Sequence, residues 1–330
     1  MTAARRARIV RAVSAAFFPS LLTFGCAWLV DARLQLPSAL HPVAWFGKLA
    51  QLWINRAPTA PASLAFAVGL SLALGLPAGA SALVWGALQL AERSHPALVV
   101  LLQLWLLFAC VCLHGLLDAA HKLAVALREP DLAAARERLR WLCSRDPSEL
   151  DEPALVNGAV ESLAENLSDS VVAPLVYLCC LGLPGAVAYR AINTLDAMIG
   201  YHGRYEWLGK AVARLDDLAN LVPARLTTLL LWLAAVSCRR SQRLGLRRGL
   251  RTWRLDRART PSPNGGHPMA MAAGLLGVQL DKPGVYVLGA GLPAPTRVDL
   301  ERAQILTRRA GFLAWVAATV ILWQLGSPLV

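Results

Sequence analysis

The stretch ESLAENLSDSVVAPLVYLCCLGLPGAVAYR, residues 161–190, joins a segment rich in carboxylates and amides to a run without charges. The uncharged part, residues 170–189, has about the 20 residues that a helix needs to cross a bilayer. Charged groups set directly against such a run are rare in membrane proteins and usually functional. The stretch therefore predicts a membrane protein whose chemistry takes place at the membrane boundary.

The composition of the whole chain supports this interpretation. Its 330 residues are 56% hydrophobic and only 16% charged, and the mean hydropathy is +0.47, which excludes an ordinary soluble domain. We expect an all-α, polytopic integral membrane protein with four to six membrane-inserted helical segments, forming a single catalytic domain over residues 1–330. The uncharged runs are 12–30, which we interpret as an uncleaved first helix, 57–91, 96–117, 170–189, 226–238 and 310–330.

The positive charges indicate which side of the membrane each loop occupies. Nine arginines fall within residues 239–259, directly after an apolar run, and cytoplasmic loops are enriched in Lys and Arg. We interpret this segment as a basic helix on an anionic leaflet and not as a nucleic-acid site. If 170–189 and 226–238 enter the membrane and return, the polar loops 118–169 and 239–309 are both cytoplasmic.

A first acidic cluster lies at one end of the uncharged run. Glu161, Glu165 and Asp169 are spaced i, i+4 and i+8, so a helix would place them on one face beside Asn166. Carboxylate and amide oxygens suit a hard cation such as Mg²⁺, which usually brings a phosphate substrate. The alternative is a solvated helix cap at a positively charged boundary.

A second cluster repeats this chemistry beyond the run. Its acids and amide are Asn193, Asp196, Asp216 and Asp217, and its arginines are Arg190, Arg214 and Arg225. Guanidinium groups are preferred ligands of phosphate and carboxylate. Farther on, the loop SPNGGHP, residues 262–268, precedes a helix of small residues and offers backbone N–H groups to an anion. A plain turn is the alternative for this loop. The seven cysteines show no metal-ligand spacing, and we expect no disulfides.

Taken in order, the motifs resemble one family. They are HPVAWFGK (41–48), SRDPSELDE (144–152), ESLAENLSDSVVAPL (161–175), YRAINTLDAMIGY (189–201), ARLDDLANLVPARLT (213–227), SPNGGHPMA (262–270), and YVLGAG (286–291) with DLERAQ (299–304). This series resembles the CobD/CbiB family of adenosylcobinamide-phosphate synthases. One departure is Gln35-Leu36-Pro37, where the family usually has Gly-Asp-Pro.

The resemblance implies an inner-membrane, multi-pass enzyme of cobalamin biosynthesis. Its reaction would join (R)-1-amino-2-propanol, or its phosphate, to a propionate carboxylate of adenosylcobyric acid by ATP-dependent amide formation. It implies ATP and Mg²⁺ as cofactors, and the corrinoid, the amine and the lipid bilayer as partners. Nucleic acid is not a partner, and association with other late cobalamin-pathway membrane enzymes stays open.

We assign roles to the motif residues for such a reaction. Glu165, Asp169, Asp196 and Asp217 are expected to bind Mg²⁺ or the ammonium of the amine, and Glu161 or Asp216 to act as the base. Phosphate or substrate would be bound by His41, Arg190, Arg214, Arg225, Gly265 and His267. The groups expected to orient oxygens or corrin amides are Asn166, Asn193, Ser262 and Asn264.

Two other classes of protein were weighed. An intramembrane Mg²⁺-dependent transferase of a prenyl diphosphate or CDP-alcohol would also place Asp and Asn at helix ends, but its regular Asp-rich repeats are absent. A non-catalytic transporter would need acids along the membrane path, whereas the runs 57–91, 96–117 and 310–330 contain none.

The predicted sidedness can be tested by labelling single cysteines from outside intact cells, with the native cysteines removed. We expect positions 145 and 204 both to be protected, because both lie on the cytoplasmic side. Labelling of 204 without labelling of 145 would show that residues 170–189 cross the membrane.

Overall fold

The computed structural model describes residues 23–25, 27–28, 37–129, 131–143, 146–201, 203–237 and 245–325. Within these ranges the chain forms twelve α-helices and one β-hairpin. The helices are α1 Pro42–Ile54, α2 Ala62–Ser94, α3 Pro96–Cys110, α4 Leu113–Ala126, α5 Leu132–Leu139, α6 Glu152–Leu167, α7 Ala173–Ile199, α8 Glu206–Ala219, α9 Leu221–Val236, α10 Leu246–Asp256, α11 Gly266–Leu276 and α12 Arg297–Leu325. A π turn, Ser168–Val172, follows α6, and strands β1 Leu280–Lys282 and β2 Tyr286–Leu288 pair antiparallel.

The helices divide into two compact units made of interleaved segments. The first unit contains the described residues up to Cys112, with Ala173–Ala219 and the part of α12 from Trp315. The second contains Leu113–Val172 and Asn220–Ala314. The prediction of a single domain over residues 1–330 stays a prediction.

The first unit is held together by apolar side chains from α1, α2, α7 and α8. Its helices approach closely because glycines stand at the crossings. A Cβ on Gly69 of α2 would overlap the backbone of Leu208, and a Cβ on Gly209 of α8 would overlap the carbonyl oxygen of Ile199. The buried core residues are Ala50, Ile54, Leu72, Ala73, Leu195, Ile199, Leu208, Ala211 and Val212.

The second unit is built around α11, all of whose residues are buried. Its small side chains let α10 pack against it, since a Cβ on Gly274 would come within 2.7 Å of the Cα of Gly249. Helix α6 contacts the hairpin through Asn157, which donates to the carbonyl of Asp281 (2.6 Å) and accepts from its N–H (3.1 Å). These contacts connect α6, the hairpin and α10–α11 within one unit.

The fold class is confirmed as an all-α polytopic membrane protein. Three helices of the described chain are long and apolar enough to cross a bilayer: Ala62–Ser94, the continuous stretch Glu152–Ile199, and Arg297–Leu325. The number rises to five if the broken pairs α3–α4 and α8–α9 each count as one span. Most of the predicted first run, 12–30, lies outside the described residues.

Two uncharged runs are interrupted. The run 96–117 was predicted as one segment, but α3 ends at Cys110 and Val111 has an extended backbone (φ −113°, ψ 119°), a conformation that suits its β-branched side chain. In α7 the helical backbone is broken at Gly182 (φ 68°, ψ −167°), a conformation open mainly to glycine. Whether 170–189 returns to the cytoplasm stays a prediction.

Aspartates cap two of the helices in the polar segments. Asp131 caps α5 by accepting from the N–H groups of Ala133 and Ala134, and Asp151 caps α6 by accepting from Ala154 (3.0 Å). The basic segment forms α10, whose Gly249, Thr252 and Asp256 are buried; Arg247, Arg251 and Arg254 are exposed. Its position on a leaflet stays a prediction.

The glycine crossings lead to a stability prediction. Gly209→Ala would push a methyl group into the carbonyl oxygen of Ile199, and overpacking of this kind typically costs about 1–3 kcal/mol. We expect a lower midpoint of thermal unfolding in detergent. Gly86→Ala is the matched control, because a Cβ there meets no atom within 4 Å. Equal midpoints for the two variants would contradict the crossing geometry.

Candidate active site

Three of the sequence motifs converge in the second unit. Helix α6 contributes Glu165, α9 contributes Arg225, and the loop before α11 contributes Asn264 and Gly265. An added Cβ on Gly265 would lie 2.9 Å from Oε1 of Glu165, so the missing side chain is what admits the carboxylate. Glu165 is otherwise exposed. An accessible carboxylate therefore lies directly against the SPNGGHP backbone.

The loop itself is ordered by internal hydrogen bonds. Ser262 Oγ accepts from the N–H of Asn264 (3.2 Å), and Thr260 Oγ1 donates to the carbonyl of Ser262 (2.8 Å). Arg225 donates to Oδ1 of Asn264 at 3.4 Å and to the carbonyl of Leu221 at 2.6 Å. This arrangement holds a guanidinium beside the loop, where it suits an anionic group of a substrate.

His267 is fixed in one protonation state beside this loop. Trp253 Nε1–H donates to His267 Nδ1 at 3.1 Å, so the neutral ring carries its proton on Nε2. Burial first, and then the guanidinium groups of Arg225 and Arg257, lower the pKa of His267 to about 4. At neutral pH, His267 is therefore an uncharged donor through Nε2–H and not a cation.

The polar row of α6 is split between buried and accessible groups. Glu161 is buried, while Ser162 Oγ donates to the carbonyl of Leu142 and accepts from Asn166 Nδ2 (2.8 Å). Asp169 lies in the π turn, half-buried. Single π turns within α-helices occur frequently at functional sites. The first acidic cluster thus extends from α6 into the π turn.

The second cluster is divided between the units, because Arg225 belongs to the second unit and the other members belong to the first. Arg190, Asn193 and Asp196 lie on α7 of the first unit, where Arg190 Nη1 donates to Asn193 Oδ1 at 3.4 Å. Asp196 requires Gly200, because an added Cβ there would overlap its carboxylate. On α8 of the same unit, exposed Arg214 lies 3.9 Å from the carboxylate of Asp217.

Among the residues that the structure describes, no three His, Cys, Asp or Glu side chains form a group that could hold a metal ion. Of the predicted metal ligands, Glu165 and Asp169 belong to the second unit, and Asp196 and Asp217 belong to the first. The metal site of four carboxylates therefore stays a prediction. The assignment of Asp216 as a base also stays a prediction.

The structure gives roles to residues that the sequence had assigned differently or had not singled out. His41 is the N-cap residue of α1, and burial followed by the Arg190 guanidinium lowers the pKa of its ring. Trp253 and Arg257 were not singled out from the sequence, yet Trp253 holds His267 and the Arg257 guanidinium lies 4.8 Å from the Trp253 ring centroid. Because Trp253 is 14 residues from His267 along the chain, no local sequence pattern indicates that the two side chains are in contact.

Comparison with known proteins gives one consistent result. A family model described as CobD/Cbib protein matches residues 24–322. The chain is 39% identical over 313 residues to the cobalamin biosynthesis protein CobD of Klebsiella pneumoniae, covering 92% of this chain and 95% of the relative. It is 39% identical over 312 residues to CbiB of Salmonella paratyphi B, with the same coverage. CobD of Dehalococcoides mccartyi is 37% identical over 304 residues, or 91% and 96% of the two chains. No solved structure matches the chain significantly.

The Trp253–His267 contact predicts a tautomer and a titration. In Trp253→Phe the neutral ring loses its donor at Nδ1, so the pKa of His267 should rise from about 4 towards the ordinary value of 6.5. ¹⁵N-histidine NMR of the protein in detergent measures this, with His267→Gln identifying the signal. Trp141→Phe is the control, because Trp141 is 81% exposed. An unchanged titration in Trp253→Phe would contradict the contact.

The same group predicts a pH dependence of stability. Folding lowers the pKa of His267 from 6.5 to about 4, so between these pH values the unfolded chain binds the proton more readily than the folded chain. The contribution of His267 to the free energy of unfolding should be complete above about pH 6.5 and lost as the pH falls towards 4. Chemical unfolding at several pH values measures how the free energy of unfolding changes with pH. This change should be smaller in His267→Gln than in the unsubstituted protein. An identical change in both would contradict the assignment.

Proposed function

The chain belongs to the CobD/CbiB family of cobalamin-biosynthesis proteins, and from this membership we propose that it is an ATP-dependent acid–amine ligase. The reaction would join the amino group of (R)-1-amino-2-propanol, or of its phosphate, to a propionate carboxylate of adenosylcobyric acid. The family match supports neither the transferase nor the transporter alternative. The apolar helices place such an enzyme in a membrane, and we propose the cytoplasmic membrane, where ATP is accessible from one face.

The proposed reaction needs activation before amide formation. A carboxylate is a poor acyl donor, so its oxygen first attacks a phosphorus of ATP. The bond from that phosphorus to a bridging oxygen breaks, ADP or pyrophosphate leaves, and a mixed anhydride is formed that carries the phosphate or the AMP. The amine nitrogen then attacks the acyl carbon, the phosphate or the AMP leaves, and the nitrogen loses a proton to a base. Each step moves negative charge between oxygen atoms, so positioned donors and cations supply much of the rate enhancement.

The observation that carries this proposal is the convergence of Glu165, Arg225 and the SPNGGHP loop in the second unit. Arg225 offers a guanidinium to a phosphate or to the propionate. His267 adds an uncharged Nε2–H donor, which can stabilise a developing oxyanion without binding a free carboxylate as a cation would. Glu165 supplies the accessible carboxylate opposite these donors.

The donor set is compatible with Mg²⁺ supplied together with ATP. Mg²⁺ is usually bound through one or two carboxylates plus substrate phosphates, and it would neutralise phosphate charge when bound. Glu165, with Asp169 as the next acid along the chain, is the carboxylate proposed for this role. The protein groups that orient the remaining oxygens are Asn166 and Asn264, both held by hydrogen bonds.

The acids of the first unit are proposed to serve the amine. Asp196 and Asp217 would bind its ammonium. Its proton would be accepted by Asp216 of the same unit or by Glu161 of the second unit, because an acid that is at least partly buried and lies beside another acid is a suitable base. The exposed Arg214 is proposed to hold the phosphate when the amine is phosphorylated. Association with other late enzymes of the pathway is part of the same proposal.

The assay that tests the function uses the full chain in detergent with adenosylcobyric acid, MgATP and each amine in turn. Mass analysis should show a corrinoid heavier by the amine minus one water. The absence of this product with both amines, in a preparation that is folded and monodisperse, would exclude the ligase.

Substitutions of Glu165 and Asp169 test the role of the first acidic cluster. Glu165→Gln and Asp169→Asn should each abolish measurable amide formation while leaving membrane insertion intact, because loss of a metal contact in the transition state typically costs several kcal/mol. Glu137→Gln is the matched control, since the Glu137 side chain is 69% exposed and forms an ion pair with Arg140, the residue that follows α5. Full activity of both site variants would contradict the assignment.

A double-mutant cycle measures whether the first and second clusters act on the same substrate group. If Asp169 and Asp217 act on one substrate group, Asp169→Asn with Asp217→Asn should cost little more than the worse single change. Initial rates with residual activity above background give the comparison. Losses that multiply would mean that the two clusters belong to different sites.

A further inference from the structure

The first unit contains a cavity of ≈ 420 Å³ between α1, α2, α3 and α7. Its volume lies in the range of about 300–1,000 Å³ that small-molecule sites occupy. The walls are almost entirely apolar side chains, among them Phe46, Leu106 and Val187, and Arg190 is the one charged residue among the lining residues that the structure describes. Of these lining residues, the site predicted from the sequence includes Arg190.

Small residues of α2 create the room. Gly75 and Gly79 line the cavity, and an added Cβ on either would meet no atom within 4 Å. The most exposed lining residues are also apolar: Leu83 is 74% exposed, Leu49 49% and Trp45 46%. Because α2 is long and apolar enough to cross a bilayer, an opening with such a rim is expected to face hydrocarbon.

Arg190 marks the polar end of the membrane segment. It is the first charged residue after the uncharged run 170–189, and a charged residue that ends an apolar run is expected where lipid headgroups meet the hydrocarbon. Burial, and then Arg190 itself, lower the pKa of His41, so that ring is neutral and Arg190 supplies the positive charge. A guanidinium at this depth suits a phosphate, which it can bind through two parallel hydrogen bonds.

We propose that this cavity binds an anionic phospholipid, with one acyl chain between α1, α2, α3 and α7 and the lipid phosphate at Arg190. A nucleotide or a corrinoid rich in amides would place polar groups against these apolar walls without partners, which is unfavourable. The proposal does not depend on the ligase function. It gives Arg190 a lipid phosphate as ligand in place of the substrate phosphate predicted from the sequence.

Native mass spectrometry of the delipidated full chain tests the proposal with two lipids of equal chains, dioleoyl phosphatidylglycerol and dioleoyl phosphatidylcholine. We expect one phosphatidylglycerol to bind at least about tenfold more tightly than phosphatidylcholine, which corresponds to 1.4 kcal/mol. Arg190→Gln should remove this preference and Arg190→Lys should retain most of it. Equal binding of both lipids by the unsubstituted protein would overturn the proposal.

A cavity-filling variant locates the site. Gly79→Leu places a side chain in the open space and should weaken phosphatidylglycerol binding at least about tenfold. Gly86→Leu on the same helix is the matched control, because Gly86 also has open space around it but does not line the cavity. Binding by Gly79→Leu equal to that of the control would overturn the proposal.

Two further measurements do not require a variant at Gly79. Phosphatidylglycerol with brominated chains should quench tryptophan fluorescence, less so in Trp45→Phe and in Trp105→Phe, because both rings line the cavity. Quenching that is unaltered in both variants would place the lipid elsewhere and overturn the proposal. Inorganic phosphate and MgATP at millimolar concentration should not displace the lipid; displacement would mean that Arg190 binds the phosphate of a substrate.

Discussion

The carboxylate of Glu165 lies so close to the backbone of Gly265 that a Cβ at that position would force the carboxylate to shift. Much of the second unit serves this contact. Asn157 joins α6 to the hairpin, α11 is buried on all sides, and the glycines at 249 and 274 bring α10 against it. A shift of any of these elements would separate the accessible acid from the loop. The position of one carboxylate is therefore a property of the whole unit.

The same packing determines the electrostatics beside the loop. Trp253 comes from α10 and reaches His267 on α11 only because the two helices are in close contact. Burial and two guanidinium groups then keep the imidazole uncharged, although the chain as a whole has a net charge of +12. A site with one cationic guanidinium, one neutral donor and one carboxylate can separate the roles that a phosphate, a developing oxyanion and a metal or ammonium require.

Much of the fold was predictable because its signals are local. Uncharged runs, the capping residues Asp131 and Asp151, and the glycine break at 182 each depend on neighbours in sequence. The interruption after Cys110 was not predicted, since hydropathy does not register a single extended residue. The residue types of the site were also predictable, but the contact of Trp253 with His267 spans 14 residues and depends on helix packing. No periodic pattern contains that information.

The interleaving of the two units also constrains how the chain is made. The first unit takes its segments from before Cys112, from Ala173–Ala219 and from Trp315 onward, and the second takes the stretches between them. Neither unit is a contiguous piece of sequence, so during translation each waits for segments that are synthesised late. The early helices must therefore remain in the bilayer with their partner faces uncovered until most of the chain has been inserted. Long-range closure of this kind is slow and exposes surfaces prone to misassembly.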